Sequence, residues 1–300
     1  MKYDIIVIGL GPAGITAAIY AKRSGLNVLC LEKIMPGGML NYMADIDNYP
    51  GEVNISGPDL AFKMFEHLRK LNIDYKIRTV EHIIVEDGLK KVIVSDDEYY
   101  YTKAIIISTG RTPKRLGLEN EEKLFGKGIS TCAICDGSLY KDRDVAVIGG
   151  GNSAISEAAY LSNIVNKVYV IHRRDKFSAT DDLVDTLKKK NNIEYLFNSE
   201  VTKINEDNGV LSGIVINNDK VLDIDAMFTY IGFVPGTSFV SGLGITDESG
   251  YILVDEKYET TVKGIYAVGD IINKDTYQVI TACGEGANAA IYAAREIESE

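Results

Sequence analysis

The chain has little that would send it into a membrane, onto nucleic acid or into a disulfide-stapled secreted fold. No apolar run in its 300 residues approaches the about 20 that cross a bilayer, which excludes a membrane-spanning helix. Basic residues are in deficit, 32 Lys and Arg against 43 Asp and Glu for a net charge of −11, which argues against the basic face of a nucleic-acid binder. The basic run Lys188-Lys189-Lys190 closes a helix-like segment from Asp181, where it compensates the helix dipole. Cysteine is scarce at four residues, and strand-like sequence begins at Tyr3 with no room for a cleaved leader, so a cytoplasmic protein is expected. Histidine is scarcer still, and His67, His82 and His172 lack metal-ligand spacing. Low-complexity sequence is absent, and the length suffices for two domains with cores of their own.

What the chain does have is two glycine-rich fingerprints 140 positions apart. Gly9-Leu10-Gly11-Pro12-Ala13-Gly14 follows the strand-like run Tyr3 to Ile8, and Gly149-Gly150-Gly151-Asn152-Ser153-Ala154 follows Val145 to Ile148. In each, the first glycine permits a tight turn out of the strand and the second lets backbone approach a pyrophosphate. The third position, Gly or Ala, lets helix and strand pack closely. One such motif is weak evidence; two in the same context predict two dinucleotides on one polypeptide.

The residue that would reach each adenosine ribose separates the two sites. Twenty-three positions after Gly9 stands Glu32, whose carboxylate accepts from ribose hydroxyls and repels a 2′-phosphate, as suits FAD or NAD. The same offset from Gly149 leads to His172, Arg173 and Arg174, and two guanidiniums there suit the 2′-phosphate of NADPH. Between the fingerprints lies Cys132-Ala133-Ile134-Cys135. A zinc half-site would need two more ligands, and Cys30 and Cys283 stand alone and far away, so a redox pair is favoured. Asp136, directly after the pair, reads either as a proton donor to a leaving thiolate or as a helix cap.

Order along the chain predicts interleaved domains. The second fingerprint opens a unit ending in a strand Ala226 to Ile231, and a later strand, Gly264 to Val268, would return to the first sheet and end in Gly269-Asp270. Junctions are expected near residues 111–114 and 235–238, where Pro and Gly break the pattern. The expected fold is α/β, with a unit that carries the Cys pair inserted between the two parts of the first dinucleotide unit.

The order of these motifs, from Gly9-x-Gly-Pro-Ala-Gly through Gly37-Gly38, Thr109-Gly110, Cys132-Ala-Ile-Cys-Asp-Gly137 and His172-Arg-Arg-Asp175 to Gly269-Asp270, resembles the low-molecular-weight thioredoxin reductases. The resemblance implies an α/β fold of two doubly wound dinucleotide domains, residues 1–114 with 238–300 binding FAD and an inserted 115–237 binding NADPH and carrying the Cys pair, in a homodimer that passes electrons from NADPH through FAD and the Cys132–Cys135 disulfide to thioredoxin. It implies Cys135 facing the flavin, Cys132 attacking the partner and Asp136 as the acid–base group. The FAD contacts would be Gly9, Gly11, Pro12, Ala13, Gly14, Glu32, Lys33, Gly37, Gly38, Met39, Asn48, Thr109, Gly110, Gly269, Asp270, Tyr277, Gln278 and Val279. A helix beginning near Gly284 would aim its dipole at the flavin. The NADPH contacts would be Gly151, Asn152, Ser153, Glu157, His172, Arg173 and Arg174. Nicotinamide and Cys pair would need the same flavin face, which predicts rigid-body rotation of one domain.

Four positions depart from the family pattern: Ser178 stands in place of an Arg, Tyr277 of an Arg, Met39 of a Gln and Ser156 of a Glu. They bear on the electron donor and the partner, not on the reaction class. A ferredoxin-dependent relative would lack the nucleotide contacts, a ferredoxin–NADP reductase would lack the Cys pair, and a non-enzymatic nucleotide-binding module would need neither dithiol nor second site. These residues leave the partner open between thioredoxin or a thioredoxin-like protein, a glutaredoxin-like protein and a peroxidase subunit.

Overall fold

Aliphatic runs without polar interruption, Ile5–Ile8, Val28–Glu32 and Ala104–Ile107, form strands buried on both faces. Parallel strands covered by helices must be apolar in this way. In the computed structural model, which describes residues 3–43, 46–86, 88–95 and 97–299, they join one five-stranded parallel sheet. The expected domain ends at Met1 and Glu300 lie outside the described residues. Seven α-helices are among those described: α1 Pro12–Arg23, α2 Gly57–Lys70, α3 Glu121–Leu124, α4 Ala133–Asp136, α5 Asn152–Leu161, α6 Asp181–Lys188 and α7 Val279–Ser299. None is long and apolar enough to cross a membrane.

The chain divides into two compact units, one of residues 1–41, 47–112 and 234–300 and one of residues 42–46 and 113–233. The sheet of the first runs Ile265–Ala267, Ala104–Ile107, Ile5–Ile8, Val28–Glu32, Asp74–Ile77. That is the doubly wound order, with its topological switch between Ile5–Ile8 and Ala104–Ile107. Its strand Ile265–Ala267 comes from beyond the second unit in sequence, as the sequence predicts. The sheet of the second unit runs Ile193–Leu196, Lys167–Ile171, Asp144–Ile148, Ala226–Thr229, Ile129–Ser130, with its switch between Asp144–Ile148 and Ala226–Thr229. Each unit adds a three-stranded antiparallel sheet, of residues 82–102 in the first and 201–222 in the second.

The last helix corrects an expectation. The resemblance implies a helix beginning near Gly284, whereas α7 begins at Val279 and carries Gly284 and Gly286 in its interior. Gly286 costs helix propensity but permits a close crossing, since a Cβ there would lie 2.2 Å from the Ala13 carbonyl oxygen of α1. Packing of the alanine-rich faces of α1 and α7 in one buried cluster outweighs local propensity.

Candidate active site

The same backbone device builds both fingerprints. Gly9 (φ +95°) and Gly149 (φ +144°) leave their strands in the region open to glycine. A Cβ on Gly9 would lie 2.6 Å from the Ser108 carbonyl oxygen, and one on Gly149 2.6 Å from that of Tyr230. Both glycines therefore sit tight against the neighbouring strand's end, at the switch point of each sheet, where open α/β sheets bind their ligands. Gly11 and Gly151 have open space instead: the nearest atoms to an added Cβ are Gly38 Cα at 4.0 Å and Ser178 Oγ at 3.9 Å. These two glycines precede α1 and α5, whose first turns have neither a side-chain cap nor an acidic residue. Uncapped N–H groups facing open backbone fit a dinucleotide pyrophosphate at both places.

Around the first fingerprint the fold assembles residues far apart in sequence. Glu32 closes the loop, accepting from Leu10 N at 2.7 Å and Ile34 N at 3.0 Å. Gly38 lies against Gly11, a Cβ on it falling 3.2 Å from Gly11 Cα, and Gly269 lies against Ala13. Asn48 Nδ2 donates to Gln278 Oε1 at 3.0 Å across 230 positions. Thr109 Oγ1 donates to the Gly236 carbonyl at 2.8 Å, and Gly110 accepts from Gly236 N at 3.0 Å. Asp270, its carboxyl pushed up by desolvation, lies 3.7 Å from Lys274 Nζ. Lys33 is exposed and Met39 half-buried beside the paired glycines, Pro12 and Val279 open α1 and α7, and Gly37 donates to the Leu10 carbonyl.

Sequence reasoning missed two supports of this site. Glu285 is buried, pairs with Lys274 Nζ at 2.8 Å and accepts from Gly269 N at 2.7 Å, which fixes the Gly269-Asp270 corner from α7. The Arg111 guanidinium lies 3.4 Å over the Tyr277 ring, so a cation stands where the family's Arg has become Tyr. A sequence offers no signal for either, because the pairs meet only through the fold.

Around the second fingerprint the basic cluster divides. His172 is buried, its ring against Gly150, where a Cβ would lie 2.5 Å from Nδ1. Desolvation and then the nearby Arg174 charge lower its pKa, which favours the neutral imidazole. Arg173 and Arg174 are exposed and carry the positive charge of this corner. Ser178 Oγ donates to the Gly150 carbonyl at 3.2 Å, and Asn152 Oδ1 accepts from Thr180 N at 3.0 Å. Ser153 is exposed in the first turn of α5.

Cys132 and Cys135 are joined as a disulfide, both half-buried, with Cys132 as the N-cap of α4. Cys132 Sγ accepts from Cys135 N at 3.2 Å, a bond that would stabilise a thiolate on Cys132. Asp136 is buried; Ser130 Oγ donates to its Oδ2 at 2.6 Å and accepts from Cys132 N at 3.1 Å. Asp136 lies at the end of α4 and its side chain caps no helix. Tyr230, unremarked in the sequence, accepts from Ala133 N at 2.7 Å while its own N bonds Ile148 O at 2.7 Å. One residue at the switch point thus ties the Cys turn to the strand that feeds the second fingerprint. Glu157 is half-buried on α5, its Oε2 buried with no hydrogen-bond partner among the described residues, and burial pushes its carboxyl up to about 7. Among the described residues no group of three or more His, Cys, Asp and Glu could hold a metal ion.

Residues 3–287 match the family described as pyridine nucleotide-disulphide oxidoreductase. The thioredoxin reductase of Bacillus subtilis (strain 168) is 40% identical over 294 residues, 96% of this chain and 92% of that protein. The thioredoxin reductase of Listeria monocytogenes is 39% identical over 302 residues, 99% of this chain and 94% of that one. Among solved structures, the thioredoxin reductase from Streptococcus pyogenes MGAS5005 superposes with a TM-score of 0.91 at 40% identity, covering 99% of both chains.

Proposed function

The chain belongs to the pyridine nucleotide-disulphide oxidoreductase family, and from that premise we propose that it is an NADPH-dependent flavoprotein that reduces the disulfide of thioredoxin. The observation that carries this reading is the Cys132–Cys135 disulfide hung, through Tyr230, on the switch point of the second dinucleotide fold. FAD belongs in the unit of Gly9, Gly11, Gly14, Glu32, Asn48, Asp270 and Gln278, and NADPH in the inserted unit of Gly151, Asn152, Arg173 and Arg174. When bound, the two cofactors supply hydride and two-electron chemistry that side chains lack.

The chain's own residues handle the sulfur and the protons. The Cys135 N–H aimed at Cys132 Sγ favours Cys132 as the thiolate that attacks the partner disulfide, forming a mixed disulfide that Cys135 then resolves. Asp136, held by Ser130, is the nearby acid that protonates the leaving thiolate. A homodimer and a cytoplasmic location accompany the reading, and sedimentation equilibrium tests the first.

The deciding experiment is anaerobic titration of the purified, yellow protein with NADPH, NADH and reduced ferredoxin in turn, read at the flavin band and followed by added thioredoxin. NADPH should bleach the band and thioredoxin restore it. In Cys132→Ser the bleaching should persist and the restoration fail. Bleaching by ferredoxin alone would overturn the donor, and restoration in Cys132→Ser would overturn the thiol roles. Asp136→Asn should slow the thiol–disulfide steps by roughly 10²–10⁴ with cofactor reduction unchanged.

A further inference from the structure

We propose that Arg111 is the charge-setting residue of the FAD site in this chain: seated on the Tyr277 ring, it favours the negative charge that the cofactor gains on reduction. The proposal deepens the functional reading above and rests on its placement of FAD in the unit of Gly9 and Asp270. It starts from where the cations of that corner go. The Arg111 guanidinium carbon lies 3.4 Å from the Tyr277 ring centroid, close enough to occupy the ring face, and its Nη1 donates to the Tyr251 hydroxyl at 3.2 Å. Lys274 Nζ approaches the same ring at 5.5 Å, and Lys274 N donates to the Tyr277 hydroxyl at 3.3 Å. Tyr277 thus gathers two cations into one cluster just before α7 begins.

Without Arg111 the charges of this cluster do not cancel. Lys274 Nζ is bound by Glu285 at 2.8 Å and lies 3.7 Å from Asp270, one ammonium against two carboxylates. The Lys274 and Glu285 side chains are 12% and 11% exposed, so water and salt screen little of that imbalance. Left to itself, the corner would carry an excess negative charge and would resist a further one on the cofactor. Arg111 brings the sum to zero from the strand Arg111–Pro113. Lys274 cannot do the same, because Glu285 and Asp270 already hold its ammonium. A guanidinium seated on a ring face keeps in-plane N–H donors for other partners and stays charged at any working pH. Position 277, where the family pattern places an Arg, supplies the seat, and the charge arrives from 111.

Reduction by two electrons and one proton, which NADPH supplies as a hydride, leaves the bound cofactor one charge more negative. A fixed cation in that corner stabilises the reduced form more than the oxidised one, so it raises the midpoint potential. A residue that only packed against the ring would hold both forms equally and leave the potential where it was.

The test is spectroelectrochemical titration of the full-length, FAD-loaded protein with Cys132→Ser and Cys135→Ser as the parent, so that the flavin is the couple read. Arg111→Gln, neutral and still polar, should weaken the preference for reduced over oxidised flavin by roughly 10- to 100-fold, the worth of one charge-assisted contact. That is a fall of about 30 to 60 mV, at about 30 mV per tenfold for two electrons. Arg111→Gln with Tyr277→Arg returns a cation to the corner without the ring seat and should recover half or more of the fall. An unchanged potential in Arg111→Gln would overturn the proposal even if oxidised FAD bound more weakly, and so would a double variant that recovers less than half. Should Arg111→Gln take up no FAD, the double variant still decides: a potential near the parent's supports the charge assignment, and one lower by the amounts above overturns it. Failure of both to take up FAD would show a packing role and overturn it as well. A parent that binds no FAD would sink the functional reading, whereas a parent that binds FAD with a potential blind to Arg111 sinks this proposal alone.

Discussion

The two dinucleotide units are one solution written twice, and the differences fall at matched positions. Offset by 140, Gly9 and Gly149 make the same tight approach to the neighbouring strand, and their N–H groups bond Leu31 O at 2.8 Å and Ile171 O at 3.0 Å. Leu10 with Glu32 in one unit becomes Gly150 with His172 in the other: a buried leucine beside a carboxylate is exchanged for a glycine against a buried imidazole. The exchange removes the anion from this corner and leaves Arg173 and Arg174 to set its charge. Ala17 of α1 becomes Glu157 of α5. The first faces α7, where a Cβ on Gly286 would already lie 3.2 Å from Ala17 N, and the second is half-buried on a helix packed against α4. The lesson is that the two units keep one backbone geometry at the glycine loop, while the charge beside each loop lies in single side chains around it.

The third glycine gives the largest test of that comparison. In Gly14→Ala the new Cβ would lie 1.9 Å from the Gly9 carbonyl oxygen, backbone that cannot yield cheaply. The substitution should cost about 3 kcal/mol or more and abolish FAD retention. At the matched position, Ala154→Gly should cost about 1 kcal/mol as a helix-propensity loss. Thermal unfolding of both variants checks this, and equal losses would break the equivalence of the loops.

The ribose corners come next. Arg173→Ala with Arg174→Ala should lower the NADPH-over-NADH ratio of kcat/KM by roughly 10- to 100-fold, the worth of one or two charge-assisted phosphate contacts. Ser178, whose hydroxyl already lies over Gly150, should sharpen the ratio when changed to Arg. Glu32→Lys should release FAD without affecting nucleotide preference. An unchanged ratio in the double variant would remove the 2′-phosphate from this corner.

Smallest is the pH dependence of stability that α5 has and α1 lacks. Burial raises the folded Glu157 carboxyl from an ordinary 4.5 to about 7, so its contribution is whole below pH 4.5 and is lost as pH rises through 7. Glu157→Gln escapes that loss. Between pH 5 and pH 8 the variant should gain roughly 2–4 °C in Tm relative to wild type, a modest figure because solvent screens a partly exposed carboxyl. Parallel Tm curves would show that Glu157 does not titrate in this range.

Much of this was legible in the sequence because it is local. Apolar runs ending in glycine mark buried parallel strands, and an acidic or basic residue 23 positions later sits at the end of the next strand, so chain distance alone sets the ribose corner. The Cys pair spans one helical turn and needs no distant partner to be recognised. The tertiary structure alone decided the rest, because the partners lie on different elements. Ala133 meets Tyr230 across 97 positions and Asn48 meets Gln278 across 230. A glycine-rich stretch became the interior of α7 once α1 required a close neighbour. Propensity and spacing act over a few residues along the chain. Burial, desolvation and the pairing of backbone donors depend on what the sheets bring together, and those terms placed the residues that tune the site.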